Sequence, residues 1–198
     1  MLLSRRLALL LLVLVAVQDA HGQAAPRSPE PSLDVEALMA RLAAVPERRA
    51  RFQEEKRLAA LTEPLRSTGR LLYRRPDRLE KVTESPEAES LVVDGDRLVI
   101  TTGQEPPRVV DLAAHPEVRA AVDAVRGPLS GDLAALRRSF AVTASGTPAA
   151  WRLVLVPTDP AARLLATVEV DGAGDQPREV VIQQADGDED RLLIEPLS

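Results

Sequence analysis

The side chains that could carry chemistry are few. There is no cysteine, and the two histidines are His21 and His115. His115 stands directly before Pro116, where a residue caps a helix. A single histidine beyond the N-terminal leader gives no support to a zinc site or to a nucleophile–histidine pair. The acidic run Asp186, Asp188, Glu189 and Asp190 suggests calcium at first sight. EF-hand spacing would need Gly at 191 and Glu at 197, where the chain has Arg191 and Leu197. The run therefore reads as a solvated hairpin tip, and the pairs Glu54-Glu55 and Glu87/Glu89 read as surface charge. No glycine-rich phosphate loop occurs. These residues predict no enzyme, no metal and no cofactor; a hydrolase working through Asp and Glu alone is the weakest reading. What stands out instead is "LLYRRPDRLE" at 71–80, where Arg74, Arg75 and Pro76 interrupt two apolar stretches.

The elements that must position such groups are built from aliphatic residues. Of 198 residues, 45% are hydrophobic but only 2% aromatic: Phe52, Tyr73, Phe140 and Trp151. An interior made of Leu, Val, Ile and Ala is a smooth apolar wall rather than a stacking surface for bases or sugars. The formal net charge of −5 argues against nucleic acid and against a bare anionic membrane surface as partners.

Residues 1–22 have the layout of a secretory signal peptide. Arg5 and Arg6 precede the apolar run Leu7 to Val17, and Ala20-His21-Gly22 offers a cleavage site before Gln23. No cysteine follows the run, so a lipid anchor is not expected. Export to a bacterial periplasm is. Residues 23–31, "QAAPRSPEP", read as a disordered linker, and 32–198 as a single domain.

Within that domain, Ser32 can cap a helix carrying Val35, Leu38, Met39, Leu42 and Val45 as one stripe, ended by Pro46. A first strand is expected from about Ala50 to Leu61, although its helix propensity is high. From Arg66 the pattern has period two. "LVVDGDRLVI" is a hairpin turning at Asp94-Gly95. "HPEVRAAVDAVRG" reads as a helix broken by Gly127-Pro128, followed by a short helix in "SGDLAALRR". Strands then resume, with turns expected at Ser145-Gly146, Thr158-Asp159-Pro160, Asp171-Gly172 and Asp186-Gly187. There is no βαβ rhythm. So many antiparallel strands must curl. The predicted class is α+β, mainly antiparallel β: a curved incomplete β-barrel of about ten to eleven strands, with an N-terminal helix and a short helical lid over the concave face.

One stretch is more specific. Phe52, Gly69, Leu71, Arg75, Pro76 and Leu79, followed by Leu91, Val92, Asp94, Gly95, Leu98 and Ile100, form a G-x-L-x-x-x-R-P element and an L-V-x-D-G-x-x-L-x-I hairpin. This pattern resembles the LolA-like family of periplasmic outer-membrane lipoprotein carriers, over roughly 33–196. The resemblance implies a hydrophobic cavity for acyl chains beneath the helices at 115–138. The cavity's candidate wall is Leu71, Tyr73 and Leu79, then Leu91, Val93, Leu98 and Ile100, with Val118 and Val122 from the helix and Trp151 and Leu153 from the returning strands. It also implies that Arg75 is a latch, its guanidinium holding lid carbonyls through charge-assisted bonds worth roughly 1.5–3 kcal/mol. Arg74 is expected on the outer face.

The function so implied is a monomeric periplasmic carrier that takes acylated lipoprotein or lipid cargo from an inner-membrane exporter to an outer-membrane acceptor, touching membranes only in passing. The alternative is a filled half-barrel acting as a docking module of an envelope lipid-export complex. Moving an acyl chain of about fifteen methylenes into water costs roughly 12 kcal/mol, so cargo must pass directly from one apolar site to the next. "LLIEPLS" reads as the last strand, so the extra C-terminal loop of some lipoprotein carriers is not expected, and a free lipid or a polyketide- or fatty-acid-derived product stands as alternative cargo.

Overall fold

The computed structural model describes residues 33–197. The leader, the linker and the Ser32 cap lie outside them. Helix α1 spans Val35–Ala43, capped by Asp34, whose carboxylate accepts from the Glu36 and Ala37 backbone N–H groups at 2.9 and 3.2 Å. It buries Leu38, Met39 and Leu42, three members of the expected stripe. Six strands follow: β1 Glu47–Arg57, β2 Leu65–Arg74, β3 Arg78–Ser85, β4 Glu89–Asp94, β5 Arg97–Thr102 and β6 Arg108–Asp111. Helix α2, Pro116–Ser130, and the single turn α3, Leu133–Leu136, lead to β7 Phe140–Thr147 and β8 Ala150–Pro157. A 3₁₀ turn at Pro160–Ala162 precedes β9 Leu165–Ala173, β10 Gln176–Gln184 and β11 Glu189–Pro196.

All eleven strands form one antiparallel sheet in the order β6-β5-β4-β3-β2-β1-β11-β10-β9-β8-β7. Two meanders are thus joined by pairing of the first strand with the last, Glu54 opposite Leu192 and Lys56 opposite Asp190. The sheet curves but does not close, leaving β6 and β7 as its edges, so the fold is the expected incomplete barrel. Strand β1 begins directly after Pro46 and ends at Arg57, earlier at both ends than expected. Its helix propensity is overridden by ladders to β2 and β11 on both sides.

A Cβ on Gly69 would lie 1.9 Å from the Val82 carbonyl oxygen and 2.9 Å from the Phe52 ring, so only glycine fits between the bulged β2–β3 ladder and that ring.

Three expected interruptions are absent. Helix α2 runs through Gly127-Pro128 to Ser130 and ends at Gly131 in the left-handed conformation, φ 69°. Gly127 is a notch rather than a breaker: a Cβ there would stand 2.5 Å from Leu136 of α3. Strand β9 continues through Asp171-Gly172, because the Trp151 ring fills the space above Gly172. Strand β7 likewise continues through Ser145-Gly146, which pair with Arg152 and Trp151.

Two apolar clusters flank α2. The larger gathers Leu38, Met39 and Leu42 of α1, Ala120 and Ala124 of α2, Leu136, and inward residues of β7–β10 including Phe140, Trp151, Leu153 and Leu155. The smaller centres on Tyr73, Leu79, Val93, Leu98 and Leu112, with Val118, Val122, Val125 and Leu129 of α2 against it. Helix α2 turns its small residues to one cluster and its branched residues to the other, which is how a single helix roofs both halves of a curved sheet.

Candidate functional site

Between the clusters, under α2, lies a cavity of about 260 Å³. The sheet lines it with Leu71, Leu79, Leu91, Val93 and Leu98 from one half, and with Val170, Pro177, Val180, Ile182, Leu192 and Ile194 from the other. Helix α2 supplies Val118, Ala121, Val122, Val125, Pro128 and Leu129. Only Glu54, Lys81 and Asp190 among its lining residues are polar. The alternation that sends Leu79, Leu91, Val93, Val180 and Ile182 inward follows from the pleat of each strand. An apolar space of this kind binds apolar guests and does not favour water.

The structure brings together Leu71, Leu79, Leu91, Val93, Leu98, Val118 and Val122 around this cavity. Tyr73 instead lines an adjoining hollow of about 30 Å³ that shares Leu71, Leu79 and Leu129 with the first. It is fully buried, and its hydroxyl donates to the Pro76 carbonyl at 2.9 Å. Ile100 packs beside the smaller cluster without lining the cavity. Trp151 and Leu153 lie in the larger cluster, because their strand joins the sheet nearer its β7 edge.

Arg75 reaches a helix, but not the one over the cavity. Its Nη1 donates to the carbonyl oxygen of Ala43, the last residue of α1. Arg48 donates to the neighbouring Leu42 carbonyl at 2.9 Å and to the Asp175 carbonyl at 2.6 Å. Two guanidinium groups thus take carbonyls that a helix C-terminus leaves without intrahelical partners. Arg74 is paired with Glu47 at 2.9 Å on the exposed side.

The helix over the cavity is held by other arginines. Arg126, only 13% exposed, donates to the Gly95 carbonyl at 2.9 Å and to Asp123 at 2.7 Å. Arg119, seven residues earlier on α2, pairs with Asp96 at 2.6 Å. Both anchor α2 on the β4–β5 turn. Sequence reasoning missed them, although the i, i+4, i+7 spacing of Arg119, Asp123 and Arg126 along one helix face was a usable signal.

Charge also enters the cavity. The inward face of β1 runs Ala50, Phe52, Glu54, and Glu54 is 6% exposed. Its carboxylate is paired with Lys81, lies 3.7 Å from Lys56, and accepts from the Ser67 hydroxyl at 2.6 Å. Lys81 sits 5.0 Å over the Phe52 ring. Lys56 also lies 3.6 Å from Asp190 Oδ2, while Asp190 Oδ1 is buried without a hydrogen-bond partner. Burial pushes the Asp190 carboxyl up to about 6, the Glu54 carboxylate adding to the effect and Lys56 and Lys81 opposing it. Burial also raises Glu54, but the two lysines and its hydrogen bonds outweigh this and hold it below the usual range.

These groups correct the expectation of surface charge. Glu54 is inside the barrel. Asp188 is buried and accepts from the Ala59 N–H at 2.8 Å, and Asp190 faces inward with Leu192 and Ile194. The acidic run is therefore not wholly a solvated tip: its second half is strand, and pairing fixes which carboxylates turn in. Among the described residues no group of histidine, cysteine and carboxylate side chains has a metal-holding arrangement. His115 occupies the N-cap position of α2 without a side-chain capping bond, with Glu117 3.6 Å from its Nδ1.

The description "outer membrane lipoprotein carrier protein LolA-like" matches residues 25–196, nearly the whole chain. The chain belongs to this LolA-like family. No curated protein matches it. Among solved structures, the LolA superfamily protein NE2245 from Nitrosomonas europaea is 8% identical, with 83% of this chain and 92% of that one covered and a TM-score of 0.45. MucB is 17% identical over 81% of this chain and 56% of its own, with a TM-score of 0.46. The MucA/MucB complex of Pseudomonas aeruginosa gives 14%, 82%, 56% and 0.44. The chain thus spans little more than half the length of MucB. In this LolA-like chain no helix of the described residues is long and apolar enough to cross a membrane.

Proposed function

We propose that this LolA-like chain is a non-enzymatic periplasmic carrier, exported by a cleaved signal peptide at residues 1–22, that shelters acyl chains of a lipoprotein or lipid on their way from inner to outer membrane. The observation that carries this reading is the aliphatic cavity under α2, with three polar residues in its wall. Size makes the reading more specific. An apolar cavity of about 150 Å³ accommodates benzene, so 260 Å³ accommodates roughly ten carbon atoms. A longer chain needs α2 to lift or the sheet to widen, so loading is coupled to lid movement. Arg75 acts in this scheme as a latch on α1, whose movement frees α2 in turn. An inner-membrane exporter and an outer-membrane acceptor supply and remove the cargo, and the carrier works as a monomer.

Native mass spectrometry of the mature protein purified from an exporting bacterium tests this. Co-purified acyl species, and displacement of a fluorescent fatty acid by them, are expected. Protein recovered empty in repeated preparations that also fails to take up the fluorescent fatty acid would overturn the carrier reading and leave the docking alternative.

A further inference from the structure

The polar groups in the cavity wall are gathered, not scattered. Glu54, Lys81 and Asp190 line it, with Lys56 between the two carboxylates. They lie toward one end of the barrel. On β1, Arg48 beside the α1 end and Lys56 beside Asp190 are eight residues apart, about 26 Å of strand. The formal charges of the cluster cancel: two carboxylates and two ammonium groups. An ionised ligand group would upset that balance in a poorly solvated place. One acceptor is left over. Every other carboxylate oxygen of the pair has a cationic or hydroxyl neighbour within 4 Å, whereas Asp190 Oδ1 is buried without a hydrogen-bond partner. A buried oxygen left in this state is costly unless something else donates to it. The Lys81 ammonium lines the same cavity, with three donors and one carboxylate partner, so the wall also offers a donor.

We propose that this cluster is a head-group subsite that takes an uncharged hydrogen-bond donor, a hydroxyl or an amide N–H, carried on the acyl ligand, and so fixes which end of the ligand points toward the α1 end of the barrel. The proposal rests on the carrier reading and narrows its cargo to acyl compounds with such a donor. The donor meets Asp190 Oδ1, its oxygen accepts from Lys81, and the hydrocarbon follows the aliphatic wall between Leu79 and Ile182.

The test compares 1-hexadecanol with its methyl ether, which keeps chain and oxygen but donates nothing. Each is titrated against a bound fluorescent fatty-acid methyl ester, an uncharged acyl probe, on the mature protein. The alcohol should displace the probe at a concentration at least about tenfold lower than the ether, the size of one hydrogen bond to a charged group. Palmitamide should share the advantage, an amide serving as well as a hydroxyl. In Asp190→Leu the alcohol loses its advantage while the ether binds as well as before or better. Asp190→Asn, nearly isosteric, gives a reduced advantage and covers the case where the leucine variant does not fold. Equal binding of alcohol and ether by the wild type overturns the subsite and leaves the carrier reading standing, and so does an advantage that survives undiminished in the variants. Failure of the wild type to bind the probe at all overturns both.

Discussion

Arg126 of α2 donates to the carbonyl oxygen of Gly95 in the β4–β5 turn, 2.9 Å away, from a nearly buried position. This bond fixes the roof of the cavity to one rim of the sheet, and Arg119 with Asp96 repeats it two turns along the helix. Replacing Arg126 by Leu leaves the Gly95 carbonyl and the Asp123 carboxylate without their donor. Stability measured by urea unfolding should fall by about 2–3 kcal/mol. Amide hydrogen exchange should quicken in α2 more than in β8 or β9.

Arg75→Leu acts at the other helix. It removes the donor to the Ala43 carbonyl, and Arg75 is not among the residues that line the cavity. The expected outcome is faster exchange of bound fluorescent fatty acid in stopped-flow mixing, by up to about tenfold, with nearly unchanged unfolding. A folded variant with unaltered exchange removes Arg75 from any role as a latch.

Asp190 gives the fold a pH dependence of definite sign. Its carboxyl is raised from 3.8 to about 6 in the folded chain, so the native state holds this proton more tightly than the unfolded one. Stability from this group is fully present below pH 4 and is lost as pH rises through 6. Glu54 works in the opposite direction, its lowered carboxyl favouring the fold once pH exceeds the usual carboxylate range. Lys56 is raised, with Asp190, Glu54 and Glu89 outweighing the burial that would lower it, and stays charged throughout this window. Asp190→Asn removes the first contribution alone. Its stability relative to wild type should rise between pH 4 and 6, by at most about 3 kcal/mol, and stay level above. Urea unfolding at pH 4, 5, 6 and 7 reads this directly.

The Lys81–Glu54 pair tests the cost of carrying charge inside the barrel. Lys81→Met leaves Glu54 buried with a less close cation and should destabilise by about 3–5 kcal/mol. Adding Glu54→Leu should restore most of the loss, because a matched apolar pair avoids the desolvation that the ions suffer. A double variant as unstable as the single one would show that these ions stabilise the fold outright.

The sheet was legible because its signals are local. Asp94-Gly95 can only be a tight turn, and the alternation around Leu71, Leu79, Leu91 and Val93 survives whatever the neighbouring strands do. The charged part of the cavity was not. In "RFQEEKR" both faces of β1 carry charge, so nothing in that stretch alone shows that Glu54 follows Phe52 inward while Glu55 pairs with Arg57 and Arg66 outside. Asp190 was hidden for a related reason: it turns inward only because β11 pairs with β1, more than 130 residues away in the chain. Trp151 and Leu153 show the converse. Their alternation is as clean as that of Leu91 and Val93, but place in the sheet decides which inward residues meet a void and which meet a helix. Arg126 escaped because its partners are carbonyls of a distant turn, which leave no trace in composition.

A closed ring of strands has its girth dictated by strand number and stagger. Here β6 and β7 never meet, so no ladder bond would have to rupture for the hoop to slacken or tighten around its contents. For the carrier proposed above, passengers of unequal bulk would fit within the same eleven strands, the gap between the two rims absorbing the difference.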